Sequence, residues 1–239
     1  MSHTSPKELM VEGTDVRKGN MLSTMPDSKR RVGLCISGRG RAALNSIRVL
    51  KSLRPNVDFF ALLGAQADSE LEGSLDSMSV SHHRLPHDRD EVKNSLCFEM
   101  LHNNQCDYWM LTFDHLIPTV VVKTFPERIF NLHPTVLPSY PGFHGLNNSK
   151  YGNTLIIGAT CHLVDEGIDT GPVLSVFVMP RRPSLSWTQL EREFANGVMN
   201  LHLQTLVWVI DGRVVSTNGK LEVINASYDT LPYVPDLEI

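Results

Sequence analysis

The sequence predicts an α/β fold: a mainly parallel Rossmann-like sheet with helices on both faces and an antiparallel addition. Three observations carry this expectation. Short apolar, strand-like runs alternate with helically spaced segments through most of the chain. The run Cys106 to Phe113 (CDYWMLTF) is apolar on both faces, as a strand inside a parallel sheet must be. Two runs between 155 and 179 are joined by a glycine-containing turn, which makes them hairpin-like and antiparallel.

Taken in order, Arg31 to Ser37 (RVGLCIS) is a strand that ends in Ser37-Gly38-Arg39-Gly40. Ala42, Ala43, Leu44, Ile47, Leu50 and Leu53 then give helical spacing. Gly38-x-Gly40-x-x-Ala43 has the form of a dinucleotide-binding fingerprint. That fingerprint also needs an acid at the end of the second strand, and Val57 to Leu63 (VDFFALL) runs instead into Gly64-Ala65. NAD binding is therefore not expected. The loop keeps a use for anions, because backbone N–H groups open a helix beside Arg39 and Arg41; Gly38, Arg39, Gly40 and Arg41 are candidate acceptor-binding residues.

A polar stretch to Ser79 follows, then a short strand near Val80 to Leu85 and a helix from about Asp90 to His102, with Asp88 or Asp90 as its cap. The Cys106 strand ends in Asp114-His115-Leu116-Ile117-Pro118, a loop of the kind that lines the ligand crevice of open α/β sheets. A helical turn from Thr119 is broken by Pro126. After Gly142, a polar helix-like segment (143–152) leads to the strand Leu155 to Val164, the turn Asp165 to Pro172 and the strand Val173 to Met179. From Ser184 to Ile210, Trp187, Leu190, Phe194, Val198, Leu201, Thr205 and Trp208 form the apolar stripe of a long amphipathic helix. Beyond it, Leu221 to Ile224 reads as an edge strand within an irregular end.

The centre of the chain is Asn131-Leu132-His133-Pro134-Thr135-Val136-Leu137-Pro138-Ser139-Tyr140-Pro141-Gly142. On a strand, residues i and i+2 share a face, so Asn131 and His133 point into one cleft as Pro134 ends the ladder. The pair supplies an amide donor for a developing oxyanion and a group that titrates near neutral pH. Asn-x-His by itself is equally the signature of a satisfied core histidine.

Composition narrows the classes. The 239 residues carry a formal net charge of −4, with 41% hydrophobic and 20% charged residues. There is no basic block to bind nucleic acid and no apolar stretch to span a membrane. Cys35, Cys97, Cys106 and Cys161 lack metal-ligand spacing and fall in apolar runs, so reduced, buried thiols and no metal are expected. The first residues show no strand or helix periodicity and no secretory h-region, which points to a flexible tail and a cytoplasmic protein.

The ordered motifs resemble those of the folate-dependent formyltransferases, most closely the glycinamide ribonucleotide (phosphoribosylglycinamide) formyltransferase group. The likeness rests on Asn131-Leu132-His133-Pro134 with Leu137-Pro138-Ser139-Tyr140-Pro141-Gly142, and on Gly158-Ala159-Thr160-Cys161-His162 followed by Asp165-Glu166-Gly167-Ile168-Asp169-Thr170-Gly171-Pro172. It implies a transferase of one-carbon metabolism that moves a formyl group from 10-formyltetrahydrofolate, a co-substrate, to a small-molecule amine. The triad it implies is Asn131, His133 and Asp169. Asn131 would donate to the anionic oxygen, His133 would act as acid/base, and Asp169 would orient the imidazole and the proton path. Thr160 and His162 match positions that support the triad. The pterin would lie against Phe113, Asp114, His115, Leu116 and Ile117, and against Val164, Asp165, Glu166 and the rest of the turn to Asp169. The resemblance divides the chain into a tail (1–29), a catalytic domain (30–213) and a C-terminal extension (214–239); a homodimer is compatible with it.

Two departures bear on the acceptor. The family's phosphate-binding Gly-Ser-Asn turn reads Gly40-Arg41-Ala42 here, and the acid with which that group contacts its acceptor falls on Val198. The expected acceptor is therefore not glycinamide ribonucleotide but an amino sugar nucleotide or an amino-acid-like metabolite. Rival readings are glycinamide ribonucleotide formyltransferase itself, a 10-formyltetrahydrofolate hydrolase, a methionyl-tRNA formyltransferase and a non-catalytic folate-binding protein. The hydrolase and the tRNA enzyme carry additional domains for which this sequence has no room.

Overall fold

The computed structural model describes residues 29–239, so the tail expected over residues 1–28 lies outside the described residues. The elements in chain order are β1 (Arg30–Ile36), α1 (Arg41–Leu53), β2 (Val57–Leu63), α2 (Glu70–Ser77), β3 (Ser81–Arg84), α3 (Asp90–Asn103), β4 (Tyr108–Thr112) and α4 (Thr119–Thr124). They continue with β5 (Ile129–His133), α5 (Gly145–Tyr151), β6 (Ile156–Leu163), β7 (Val173–Pro180), α6 (Trp187–Ile210), β8 (Val214–Thr217), β9 (Lys220–Val223) and β10 (Tyr233–Val234).

The main sheet has the order β10-β7-β6-β5-β4-β1-β2-β3. From β3 through β5 all neighbours are parallel, and β6, β7 and β10 add antiparallel pairs. The doubly wound α/β expectation with an antiparallel addition therefore matches the fold. The chain winds from β1 to β2 and β3 on one side and to β4 and β5 on the other, so the switch of direction lies between β1 and β4. In such sheets that switch opens a crevice beyond the carboxyl ends of the strands.

Both faces of the sheet are packed. One core gathers α1, α2 and α6 over Leu34, Ile36, Phe130 and Phe177; the second lies under α3 and α4 around Trp109, Leu62 and Val121. All four cysteines are free and buried. Burial pushes the Cys35 thiol upward and holds Cys97, Cys106 and Cys161 at about 12, which suits inert core thiols.

Several local expectations are corrected. The polar stretch before Ser79 contains α2, whose Leu71 and Leu75 are buried. Neither Asp88 nor Asp90 caps α3: the N-cap is Arg89, with no side-chain bond, and Asp90 is the first helical residue, paired with Lys93 at 2.8 Å. The strand near 221–224 is not an edge of the main sheet, because β9 pairs with β8 in a separate ribbon. The edge is β10, from the segment read as irregular, hydrogen-bonded to β7. Helix α6 starts on a Ser186–Gln189 capping box and is amphipathic only in its first half. From Leu201 to Ile210 it is buried all round; His202 is bonded to Ser46 (2.7 Å), Thr205 to Ser175 (2.9 Å), and Gln204 accepts from the Glu238 N–H at Oε1 (2.7 Å) while its Nε2 has no hydrogen-bond partner among the described residues. Among the described residues no helix is long and apolar enough to cross a membrane.

Candidate active site

β5 ends at His133 because Pro134 has no N–H to continue the ladder. Antiparallel pairing with β6 sets Asn131 opposite His162 and His133 opposite Thr160. The third contribution comes from the β6–β7 turn, which places Asp169 in the left-handed region at φ 54°. Asp165 closes that turn, accepting from Thr170 Oγ1 (2.8 Å) and from the Gly167 N–H (3.1 Å). Gly171 is required there, since a Cβ would lie 1.9 Å from the Leu163 carbonyl oxygen.

Asp169 is the hub of the cluster. Its Oδ1 accepts from Asn131 Nδ2 at 3.3 Å and lies 3.4 Å from His162 Nε2. Its Oδ2 accepts from the Gly142 N–H at 2.7 Å and lies 3.2 Å from His133 Nδ1. Burial pushes this carboxyl up, but the His162 and Gly142 hydrogen bonds and the two imidazole charges outweigh burial and hold it at about 2. The carboxylate is thus ionised across the physiological range.

Each imidazole has its other nitrogen on a backbone carbonyl: His133 Nε2 donates to Tyr140 O at 3.0 Å, and His162 Nδ1 to Leu163 O at 2.7 Å. His133 is 4% exposed. With both nitrogens engaged, it reaches a ligand only by exchanging one of these bonds, a change that binding commonly brings about at catalytic hydrogen bonds. Thr160, the cross-strand partner of His133, has no hydrogen bond to either imidazole or to the carboxylate. It donates to Thr135 O (2.8 Å) and accepts from the Leu137 N–H (3.0 Å), holding the loop that carries Tyr140.

The cluster lies in a cleft of about 660 Å³, within the ~300–1,000 Å³ usual for small-molecule sites. Asn131, His133, His162 and Asp169 line it. So do Phe113, Asp114, His115, Leu116 and Ile117 from the loop after β4, and Val164, Asp165 and Glu166 from the acidic turn. His115 is turned toward α3, with Nε2 2.9 Å from Asn94 Oδ1; burial and then Lys93 lower its pKa. Glu166 pairs with Lys123 at 3.1 Å. Of the four candidate acceptor residues, Gly40 and Arg41 line the cleft, and Gly38 and Arg39 are not part of its wall. Val198 of α6 lines it too.

Sequence reasoning missed Ser37, Phe143 and His144, all of which line the cleft. Ser37 was findable as the first residue past β1 at the switch point. Phe143 and His144 directly follow the Pro141-Gly142 motif; Ile168, within the turn expected against the pterin, is 56% exposed at the cleft. Among the described residues no group of three or more His, Cys, Asp or Glu is arranged to hold a metal ion.

Comparison with known proteins identifies the family. The family model described as "Formyl transferase" matches residues 30–206. A trifunctional purine biosynthetic protein adenosine-3 of Drosophila pseudoobscura pseudoobscura is 26% identical over 184 residues, which is 74% of this chain and 13% of that protein. The phosphoribosylglycinamide formyltransferase of Mycobacterium tuberculosis (strain ATCC 25618 / H37Rv) is 38% identical over 68 residues, 28% of this chain and 32% of the relative. A formyltetrahydrofolate deformylase of Synechocystis sp. is 27% identical over 156 residues, 61% of this chain and 55% of the relative. The matches thus span between about an eighth and about half of the length of these curated relatives.

Two solved structures share the fold at 19% identity. The phosphoribosylglycinamide formyltransferase of Anaplasma phagocytophilum has a TM-score of 0.74, covering 83% of this chain and 96% of that one. A formyltetrahydrofolate deformylase of Pseudomonas syringae pv. tomato has a TM-score of 0.75, covering 83% and 67%. With the family model matching well over half of the chain, and the Asn131, His133 and Asp169 motifs inside the matched segment, this chain belongs to the formyl transferase family.

Proposed function

We propose that this chain transfers a formyl group from 10-formyltetrahydrofolate to the amine of a small-molecule acceptor other than glycinamide ribonucleotide. The observation that carries the transfer reading is the Asp169 carboxylate, which gathers Asn131, His133 and His162 at one cleft wall. In the reaction, the amine nitrogen bonds to the formyl carbon, whose oxygen becomes anionic. The Asn131 amide N–H is the donor suited to that oxygen, with His133 beside it on the same strand face. As the bond from the formyl carbon to the folate nitrogen breaks, the proton lost by the amine passes to that nitrogen, with Asp169 and His133 as the groups able to hold it in transit.

The cleft suits the co-substrate, since loops after β4 and β6 offer backbone and apolar side chains on one side of the reacting cluster. The acceptor reading rests on the start of α1 and on α6. Val198 stands where related enzymes carry an acid, and Arg41 and Ala42 replace a hydroxyl and an amide; all three line the cleft. An acceptor with a bulkier or differently placed anion and an amine flanked by apolar surface fits this wall.

The test is a panel of amines incubated with the full chain and 10-formyltetrahydrofolate, following tetrahydrofolate release with and without acceptor. Release that depends on an amine other than glycinamide ribonucleotide supports the proposal. Equal release without any amine makes the protein a hydrolase of the same co-substrate, and no release under any condition makes it a binding protein.

A further inference from the structure

The glycine loop matches a dinucleotide fingerprint whose missing part is an acid at the end of the second strand, where the chain has Gly64. The structure brings an acid to that place from elsewhere. A Cβ built on Gly64 would lie 2.6 Å from Asp114 Oδ1 and 2.6 Å from Ser37 Oγ. Asp114 belongs to the loop after β4, two strands away from β2 in the sheet. Its carboxylate therefore fills the space that a side chain at the end of β2 would occupy, and only glycine at 64 leaves room for it.

Asp114 is held there. Ser37 Oγ donates to its Oδ1, and Ser37 Oγ accepts from the Asp114 N–H at 2.9 Å. The neighbouring loop is fixed by Arg84, which donates to Ala67 O (2.8 Å) and Asp68 O (3.2 Å), and by the Asp68 N–H, which donates to Gly38 O at 2.8 Å. The end of β2 and the glycine loop are thus joined as one surface at the β1–β4 switch point, where Asp114 and Ser37 both line the cleft.

The other carboxylates of the cleft are committed. Asp165 closes its own turn, Glu166 is paired with Lys123, and Asp169 is the hub of the reacting cluster. Among the described residues no ion pair reaches Asp114 and no hydrogen bond reaches its Oδ2. A half-satisfied, exposed carboxylate beside a glycine loop is the group that binds sugar hydroxyls in dinucleotide folds.

We infer that Asp114, positioned by Ser37, recognises the vicinal diol of a ribose, so that the acceptor is a nucleotide-linked amine. This rests on the acceptor reading above and narrows it: between an amino sugar nucleotide and an amino-acid-like metabolite, the carboxylate selects the nucleotide. The acid absent from α6 at Val198 is replaced by one in the loop after β4, held against Ser37.

The experiment is isothermal titration of the full chain with uridine and adenosine 5′-diphosphate and with their 2′,3′-dideoxy counterparts. Loss of a hydrogen-bonded diol from a carboxylate predicts that one ribonucleotide binds at least about tenfold tighter than its dideoxy form. In Asp114→Asn and Asp114→Ala the difference should collapse to about twofold or less, at melting temperatures equal to wild type. Ser37→Ala, which leaves the carboxylate but frees it, should weaken the discrimination and serves if the Asp114 variants fail to fold. Equal binding of ribo and dideoxy forms, no binding of either, or discrimination that survives all three substitutions would each overturn the inference. Tetrahydrofolate release is followed in parallel. Turnover without diol discrimination rejects the diol site alone, and diol discrimination without turnover on any amine rejects the formyl-transfer reading alone.

Discussion

Asp169 Oδ2 lies 3.2 Å from His133 Nδ1, although the two residues are far apart in sequence and sit on different elements, one in a left-handed turn and one at a strand end. The pair is 5% and 11% exposed at its side chains, so its electrostatics are little screened by solvent. Most of the chemistry proposed for this chain depends on that contact and on Asn131 beside it.

Removing either strand residue should stop the reaction. Asn131→Ala and His133→Ala are each expected to lower kcat by roughly 100-fold or more, the loss typical of an oxyanion donor or an acid/base group. Folate affinity should change little. Near-full turnover in either variant, measured at saturating 10-formyltetrahydrofolate, would move the reaction centre elsewhere.

Asp169→Asn keeps the shape and removes the charge. Because the folded carboxyl sits at about 2, below the ordinary value near 3.9, its contribution to stability is present above the ordinary value and is lost as pH falls through about 2. The stability gap between wild type and Asp169→Asn should therefore be full near neutral pH and shrink between about pH 4 and 2. A gap independent of pH, measured by denaturant unfolding, counts against the ion pair. The same variant should also turn over far more slowly than wild type, since the carboxylate that holds Asn131 and His133 is gone.

His202 gives a second acid-sensitive site, one helical turn beyond the cleft residue Val198. It is buried between α1 and α6 on Ser46 Oγ, and burial lowers its pKa to about 4. Its folded value lies below the ordinary 6.5, so the stability it contributes is present above pH 6.5 and is lost as pH falls from 6.5 through about 4. The expected loss is on the order of 3 kcal/mol. In His202→Asn, the fall in melting temperature over that interval should be smaller than in wild type. Equal falls in both proteins would assign the acid sensitivity to other groups.

Val198→Glu should bring the acceptor wall closer to the related enzymes. Restoring a charged partner is worth about 1.5 to 3 kcal/mol, so kcat/KM for glycinamide ribonucleotide should rise by roughly ten- to a hundredfold. Wild-type kcat/KM for that substrate should stay below ~10⁴ M⁻¹s⁻¹. A value above it would make this an ordinary glycinamide ribonucleotide formyltransferase.

Gly197 tests the packing of α6 on the sheet. A Cβ there would lie 2.1 Å from the Phe177 ring, so the helix must shift or the ring must move. Gly197→Ala is expected to destabilise the protein by about 1–3 kcal/mol despite its better helix propensity. An unchanged denaturation midpoint would show that the ring gives way freely.

The sequence by itself determined the strands from β1 to β7, the long helices and one wall of the site, because those features repeat at a local period. Alternation along β5 already puts Asn131 and His133 on one face, and the apolar spacing from Trp187 to Trp208 marks α6. The tertiary structure alone decided what depends on contacts between distant segments. The two-residue strand β10 exists because β7 offers an unpaired edge, and α2 exists because Leu71 and Leu75 find the α1 side of the sheet. Thr160 turned out to hold a loop, since its partners Thr135 and Leu137 come from beyond the strand it faces. Gly64 and Asp114 make the same point at the cleft. Read along the chain, the first is a strand end lacking its acid and the second an acid in the wrong loop. They become neighbours only because the parallel order β2-β1-β4 brings the carboxyl ends of those strands side by side, a relation set by sheet topology and not by any neighbour in sequence.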